Sequence, residues 1–147
     1  MIKGDAIKRL KELAKFDFQK KLGRVGFGVI QTINERVEKG VDSTGAKFKR
    51  YSKSYSDLKE KSGRNSKPDL QWTGEMLNSM QSKVQGDTVI VDFANRKHIK
   101  SGDTVEQIAE KNEKTRPFFT VTDKELEKIV EKELFKPFER LLNGDII

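Results

Sequence analysis

The sequence predicts an α+β fold, with N-terminal helices and a kinked C-terminal helix packed on a small antiparallel sheet built around a hairpin. Three observations predict it. Apolar residues recur three or four apart near both ends of the chain. One β-branched, partly alternating segment, Thr88-Val89-Ile90-Val91-Asp92-Phe93, follows a Gly86-Asp87 turn signal. At 147 residues the chain has the length of one domain. Within that domain, residues 5–40 read as a helical arm and 41–70 as a basic loop region. Residues 71–121 read as a hairpin and sheet region, and 122–143 as the C-terminal helix.

Ile7, Leu10, Ala14 and Phe18 begin the first apolar stripe, with Asp5 as its start signal. Leu22, Val25, Val29, Ile33 and Val37 continue it. Gly23, Gly26 and Gly28 interrupt it, each costing ~1 kcal/mol against alanine in a helix interior. Two helices or one bent helix are expected, broken near Gly23. The run Gly23-x-x-Gly26-x-Gly28 lacks phosphate-loop spacing and follows no strand, which leaves close helix packing or a hinge. Gly40 suits the position just past a helix end. Asp42-Ser43-Thr44-Gly45 is a turn, because short polar side chains bond their own backbone and glycine accepts positive φ. Phe48 and Tyr51 are bulky anchors for a core. Ser54 and Asp57 start a short helix that runs to Lys61 and stops at Ser62-Gly63. Residues 62–69, S-G-R-N-S-K-P-D, hold no apolar anchor and read as a disordered loop.

Thr73 caps a short helix carrying Met76, Leu77 and Met80, and Trp72 is its buried anchor. Ser82 to Gln85 and Thr88 to Phe93 form the hairpin, which must pack on helices or join a wider sheet, since two strands alone are marginal. Asn95 to Lys100 reads as one or two helical turns. His98 there is a surface histidine, with no second ligand or nucleophile in the pattern. Ser101 to Thr104 breaks the chain, and Val105, Ile108 and Ala109 share one face of the next helix. Thr115 to Thr120 is an extended return strand, with Arg116 held extended by Pro117. Phe118 and Phe119 then point to opposite faces, one for the core and one for a subunit contact. Thr122 and Glu125 form a capping box. Leu126, Ile129, Val130, Leu134, Phe138, Leu141 and Leu142 form the last stripe. Pro137 kinks or splits that helix, and Gly144 stops it.

Composition limits the chemistry. Apolar residues make up 34% and charged residues 36% of the chain, so the core is modest and the surface heavily solvated. There is no cysteine and one histidine, which excludes disulfides, thiolate metal sites and paired-histidine sites. No apolar run approaches the ~18 residues of a membrane span, and the N-terminus does not read as a signal peptide. A soluble protein made in the cytoplasm, without membrane contact, is expected. Acids alternate with lysines, as in Glu127-Lys128 and Glu131-Lys132-Glu133, and read as solvated helix faces. No nucleophile sits beside a base in the pattern, so no enzyme activity, metal or cofactor is expected.

The net charge of +7 is local. Residues 47–67 hold eight basic groups (Lys47, Lys49, Arg50, Lys53, Lys59, Lys61, Arg64 and Lys67) against Asp57 and Glu60, a net of +6. That segment is the predicted interaction surface, facing acidic protein or DNA.

Four segments carry a resemblance. They are Gly40-x-Asp42-x-x-Gly45-x-x-Phe48, Tyr51-Ser52-x-x-Tyr55-x-x-x-Lys59, Trp72-Thr73-Gly74-x-Met76-Leu77-x-Ser79, and Arg116-Pro117-Phe118-Phe119. In their order and spacing they resemble the tailed-phage virion morphogenesis group, across about residues 20–142. That group includes tail completion and head–tail joining proteins similar to the Mu-type tail protein. The resemblance implies a structural subunit of the virion, at the neck or tail end. It implies a homo-oligomeric ring that joins the head or portal complex to the tail. Its partners would be copies of itself, other neck, portal-adaptor or tail-tube proteins, and DNA in the lumen. It marks Gly45, Phe48, Tyr51, Trp72, Gly74, Met76, Leu77 and Arg116 to Phe119 as motif and core anchors. The alternative is a basic DNA-binding accessory protein, with Tyr51 and Tyr55 the candidates for base stacking.

Overall fold

The computed structural model describes residues 4–71, 74–98 and 102–144, with the backbone alone at 4–6, 9 and 10. Trp72 and Thr73 lie outside the described residues. Helix α1 spans Gly4–Ala14 and α2 spans Phe18–Glu38. The break between them falls at residues 15–17, not near Gly23. Asp17 caps α2 by accepting the Lys20 N–H at 3.0 Å. Phe16 and Phe18 meet edge to face at 4.7 Å beside Phe138, which fixes the corner.

α2 stays helical through its three glycines because two of them let neighbours approach. A Cβ on Gly26 would fall 1.8 Å from Ser82 Oγ, and one on Gly28 would fall 2.7 Å from Ile129 Cγ2. Two residues turn a helix by about 200°, so these contacts lie on opposite faces of α2. One face takes the hairpin and the other takes the C-terminal helix. The propensity lost at each glycine is offset by that packing. Val25, Val29, Ile33 and Val37 are buried along the helix, in the spacing the sequence predicts. Past its end, Gly40 takes a φ of 69° as the C-terminal cap requires.

The Asp42 turn forms as read. Its carboxylate accepts from the Thr44 hydroxyl at 2.7 Å and from the Thr44 and Ala46 N–H groups at 2.8 and 3.0 Å. The Thr44 hydroxyl does most to hold that carboxyl below its ordinary range. Helix α3, Lys53–Lys61, is capped by Ser52 rather than Ser54: Ser52 is extended, and its Oγ accepts the Tyr55 N–H at 3.3 Å. α4, Glu75–Asn78, starts at Gly74 with no side-chain cap.

Strands β1, Met80–Gln85, and β2, Thr88–Phe93, pair antiparallel from Met80 opposite Phe93 to Gln85 opposite Thr88. Gly86 sits in the turn at a φ of 62°. Met80, expected on a helix, opens β1. The two strands rest on α2, which gives the hairpin the support it lacks alone. Residues 94–98 are extended rather than helical, with Lys97 bridged to Thr104. α5, Val105–Thr115, starts with a capping box of Thr104 and Gln107.

The expected return strand does not form: Thr115 ends α5, and Arg116–Thr120 is irregular, with bends at Arg116 and Phe119, and joins no ladder. Its backbone is satisfied by side chains instead. The Glu113 carboxylate accepts the N–H groups of Phe118 and Phe119 at 2.9 and 3.1 Å. The Arg36 guanidinium donates to the carbonyls of Phe118 and Thr120, both at 2.6 Å. Phe118 is fully buried and fills the core, and Phe119, half-buried, packs on Phe93 at 5.0 Å.

α6, Asp123–Val130, begins at the predicted Thr122–Glu125 capping box. A π-helical turn, Glu131–Phe135, connects it to α7, Lys136–Leu142. The wide turn relieves the clash Pro137 would make with a regular helix. Arg36 locks this end of the molecule, donating to Glu125 Oε2 at 2.7 Å while Glu125 also completes the cap.

Two measurements check this packing. Gly26→Ala is expected to destabilise the protein by about 1–3 kcal/mol in urea denaturation. Gly23→Ala, whose Cβ would meet nothing within 4 Å, is expected to stabilise it by up to about 1 kcal/mol. Burial pushes the Glu125 carboxyl up, but the Thr122 N–H and the hydrogen bond and charge of Arg36 outweigh it and hold it below its ordinary 4.5. Its stabilisation is full above that ordinary value and is lost as pH falls through the lower folded-state value. Denaturation midpoints of the wild type are expected to drop across that acid window, and those of Glu125→Gln to change less.

Candidate interaction surfaces

The predicted basic surface divides on folding. Lys47, Lys49, Arg50, Lys53, Lys61 and Lys67 are exposed, and Arg64 is half-buried. Lys59 is fully buried and leaves the interaction set. A buried ammonium needs a counter-charge and hydrogen bonds. Lys59 finds them in Asp69 Oδ1 at 2.6 Å and the Gln71 carbonyl at 2.9 Å. Its Nζ also lies 5.0 Å from the centre of the Tyr51 ring. Residues 62–69 therefore form a loop closed by an ion pair, not a chain without anchors. Beyond the loop, Leu70 is buried at a φ of 54°, with its N–H donating to Tyr51 Oη at 2.9 Å.

Tyr51 is the hub of this region. The Arg116 guanidinium lies 4.5 Å from its ring and donates to the carbonyls of Lys49 and Arg50 at 2.6 and 3.0 Å. Tyr55 meets the Tyr51 ring edge to face at 4.8 Å. Burial pushes the Tyr51 hydroxyl above its ordinary 10.0. The Pro117 carbonyl accepts the Ser43 N–H at 2.9 Å, tying the Asp42 turn to the same region. Among the other motif residues, Phe48, Met76, Leu77 and Phe118 are buried in the core, and Gly45 and Gly74 take positive φ. These residues hold the fold, while Tyr51 and Tyr55 are half-buried.

Beside Tyr51 lies a cleft of about 530 Å³ whose lining includes Tyr55, Glu75, His98, Asn112 and Arg116. His98 is not on the open surface, since its side chain is 13% exposed and lies 3.4 Å from Glu75. Glu75 also lies 3.8 Å from Arg96. Arg116 thus donates to carbonyls, and Glu75 sits between Arg96 and His98. Among the described residues, no group of three or more His, Asp or Glu is placed to hold a metal ion.

A second surface escaped the sequence. Leu126 and Leu142 belong to the predicted core stripe, yet are 39% and 44% exposed, and Phe135 is 54% exposed. With Val130 they mark an apolar face of the C-terminal helices. A groove of about 670 Å³ there is lined by Leu126, Val130 and Phe135, with Asp123, Glu127, Lys128 and Glu131 around them. On α3, Leu58 is 51% exposed within the basic segment. The available signals were a C-terminal stripe wider than one face needs and a lone leucine among lysines.

No family model, curated protein or solved structure matches this chain. Among the described residues, no helix is long and apolar enough to cross a membrane.

Lys59→Ala leaves Asp69 without its ion-pair partner in the loop and is expected to cost about 3–5 kcal/mol in chemical denaturation. Lys61→Ala, two residues away and exposed, is expected to change stability by less than about 0.5 kcal/mol.

Proposed function

We propose that this chain is a structural component of a tailed bacteriophage virion, a tail completion or head–tail connector protein. It is made in the host cytoplasm and sits at the neck or tail end. Copies assemble as a ring that joins the head or portal complex to the tail. It acts by shape and charge, without a reaction or cofactor.

The observation that carries this reading is convergence. Three of the segments that carry the resemblance meet: the Ser43 N–H donates to the Pro117 carbonyl, and the Arg116 guanidinium lies 4.5 Å from the Tyr51 ring. Large apolar side chains left in solvent, including Phe27 at 69% exposure, add support, since assembly would bury them.

The six exposed cations of the 47–67 segment favour a second reading, a DNA-binding accessory protein. On that reading affinity falls about 10³- to 10⁵-fold between about 50 and 200 mM salt for six to ten phosphate contacts. Binding that ignores salt removes it.

Light scattering at rising protein concentration is expected to show a closed oligomer, and mass spectrometry of purified particles is expected to contain the chain. A monomer at every concentration, together with absence from particles, overturns the connector reading.

A further inference from the structure

The chain has two exposed apolar surfaces of opposite charge, on elements that share no residue. The first is the groove of α6 and the π turn, where Leu126 and Phe135 lie among Asp123, Glu127 and Glu131 with Lys128 as the one lining cation, a net of −2. The second is α3, where Leu58 is the single exposed large apolar side chain of the 47–67 segment among the described residues. The exposed charges of that segment, six cations against Asp57 and Glu60, leave +4, since Lys59 is buried against Asp69 and Arg64 is half-buried. Lys61 lies three residues beyond Leu58 and so flanks it on the helix surface.

We propose that copies of this chain contact one another head to tail, with α3 of one copy seated in the acidic-rimmed groove of the next. Leu58 enters between Leu126 and Phe135, and the flanking lysines face Glu127 and Glu131. This rests on the connector reading and names the contact that builds its ring.

Charge selects this occupant over the others. Two grooves meeting symmetrically would bring acidic rims together, which opposes association. A nucleic acid would meet the same acids. A basic helix with one apolar side chain matches both features of the groove. Because the two surfaces are distinct, a copy engaged through one keeps the other open. Such a contact repeats, and it closes into a ring when its rotation divides a full turn.

Charge exchange between variants tests the pairing. Lys53→Glu, Lys61→Glu and Lys67→Glu together make α3 and the loop that follows it acidic. Glu127→Lys and Glu131→Lys together make the groove basic. All five residues are exposed, and thermal melting verifies that both variants are folded. Sedimentation equilibrium is expected to show self-association of each weakened at least about tenfold, and to show recovery when the two are mixed in equal amounts. Leu58→Ser is expected to weaken association while leaving the melting temperature unchanged. A wild type that assembles, with variants that assemble equally well or a mixture that fails to recover, overturns this contact and leaves the connector reading standing. A wild type that stays monomeric at every concentration overturns this contact, and with absence from particles it overturns the connector reading as well.

Discussion

The Arg36 guanidinium joins three parts of this molecule that the chain keeps far apart. It projects from α2, accepts no substitute from the hydrophobic core, and donates to Phe118 O, Thr120 O and Glu125 Oε2. Those acceptors belong to the Arg-Pro-Phe-Phe segment and the first turn of α6. Backbone carbonyls that would otherwise need a neighbouring strand are satisfied by one side chain. The segment can therefore run without a partner strand. Phe118 is carried into the core, and α6 is set against the Gly28 face of α2. A chain with few apolar residues gains specificity this way, since a planar fork accepts only one arrangement of its acceptors.

Lys59 repeats the device beside the Tyr51 ring. A lysine with no exposure is unusual, and it survives because an acid, a carbonyl and an aromatic face surround it. Together, the two buried cations hold two irregular stretches, Lys59 at residues 62–69 and Arg36 at 116–122. The core proper runs along α2 and is small. The polar clamps decide how loops leave it and return.

What remains at the surface follows from that economy. The apolar residues not drawn inward gather on the C-terminal helices and at single points such as Leu58 and Phe27. Basic residues gather on 47–67, acidic ones around the α6 groove. At the Tyr51 cleft Arg116 donates to the carbonyls of Lys49 and Arg50, and on the C-terminal helices exposed apolar side chains are bordered by charge.

Local chemistry alone determined much of this protein. The Asp42 turn, the Gly86-Asp87 hairpin, the Thr122–Glu125 box, the split at Pro137 and the stripe from Val25 to Val37 each depend on neighbours a few residues away, and each was legible in the sequence. The corner at Asp17, the depth of Lys59, the position of His98 beside Glu75 and the exposure of Leu126 were not. Each of those depends on partners brought from far along the chain. Lysine reads as solvated until Asp69 arrives ten residues on, and a helix stripe reads as core until packing shows which half of it is covered. Tertiary structure decided these because burying a charge or a leucine is a balance between solvent and a specific neighbour, and the neighbour is absent from the local pattern.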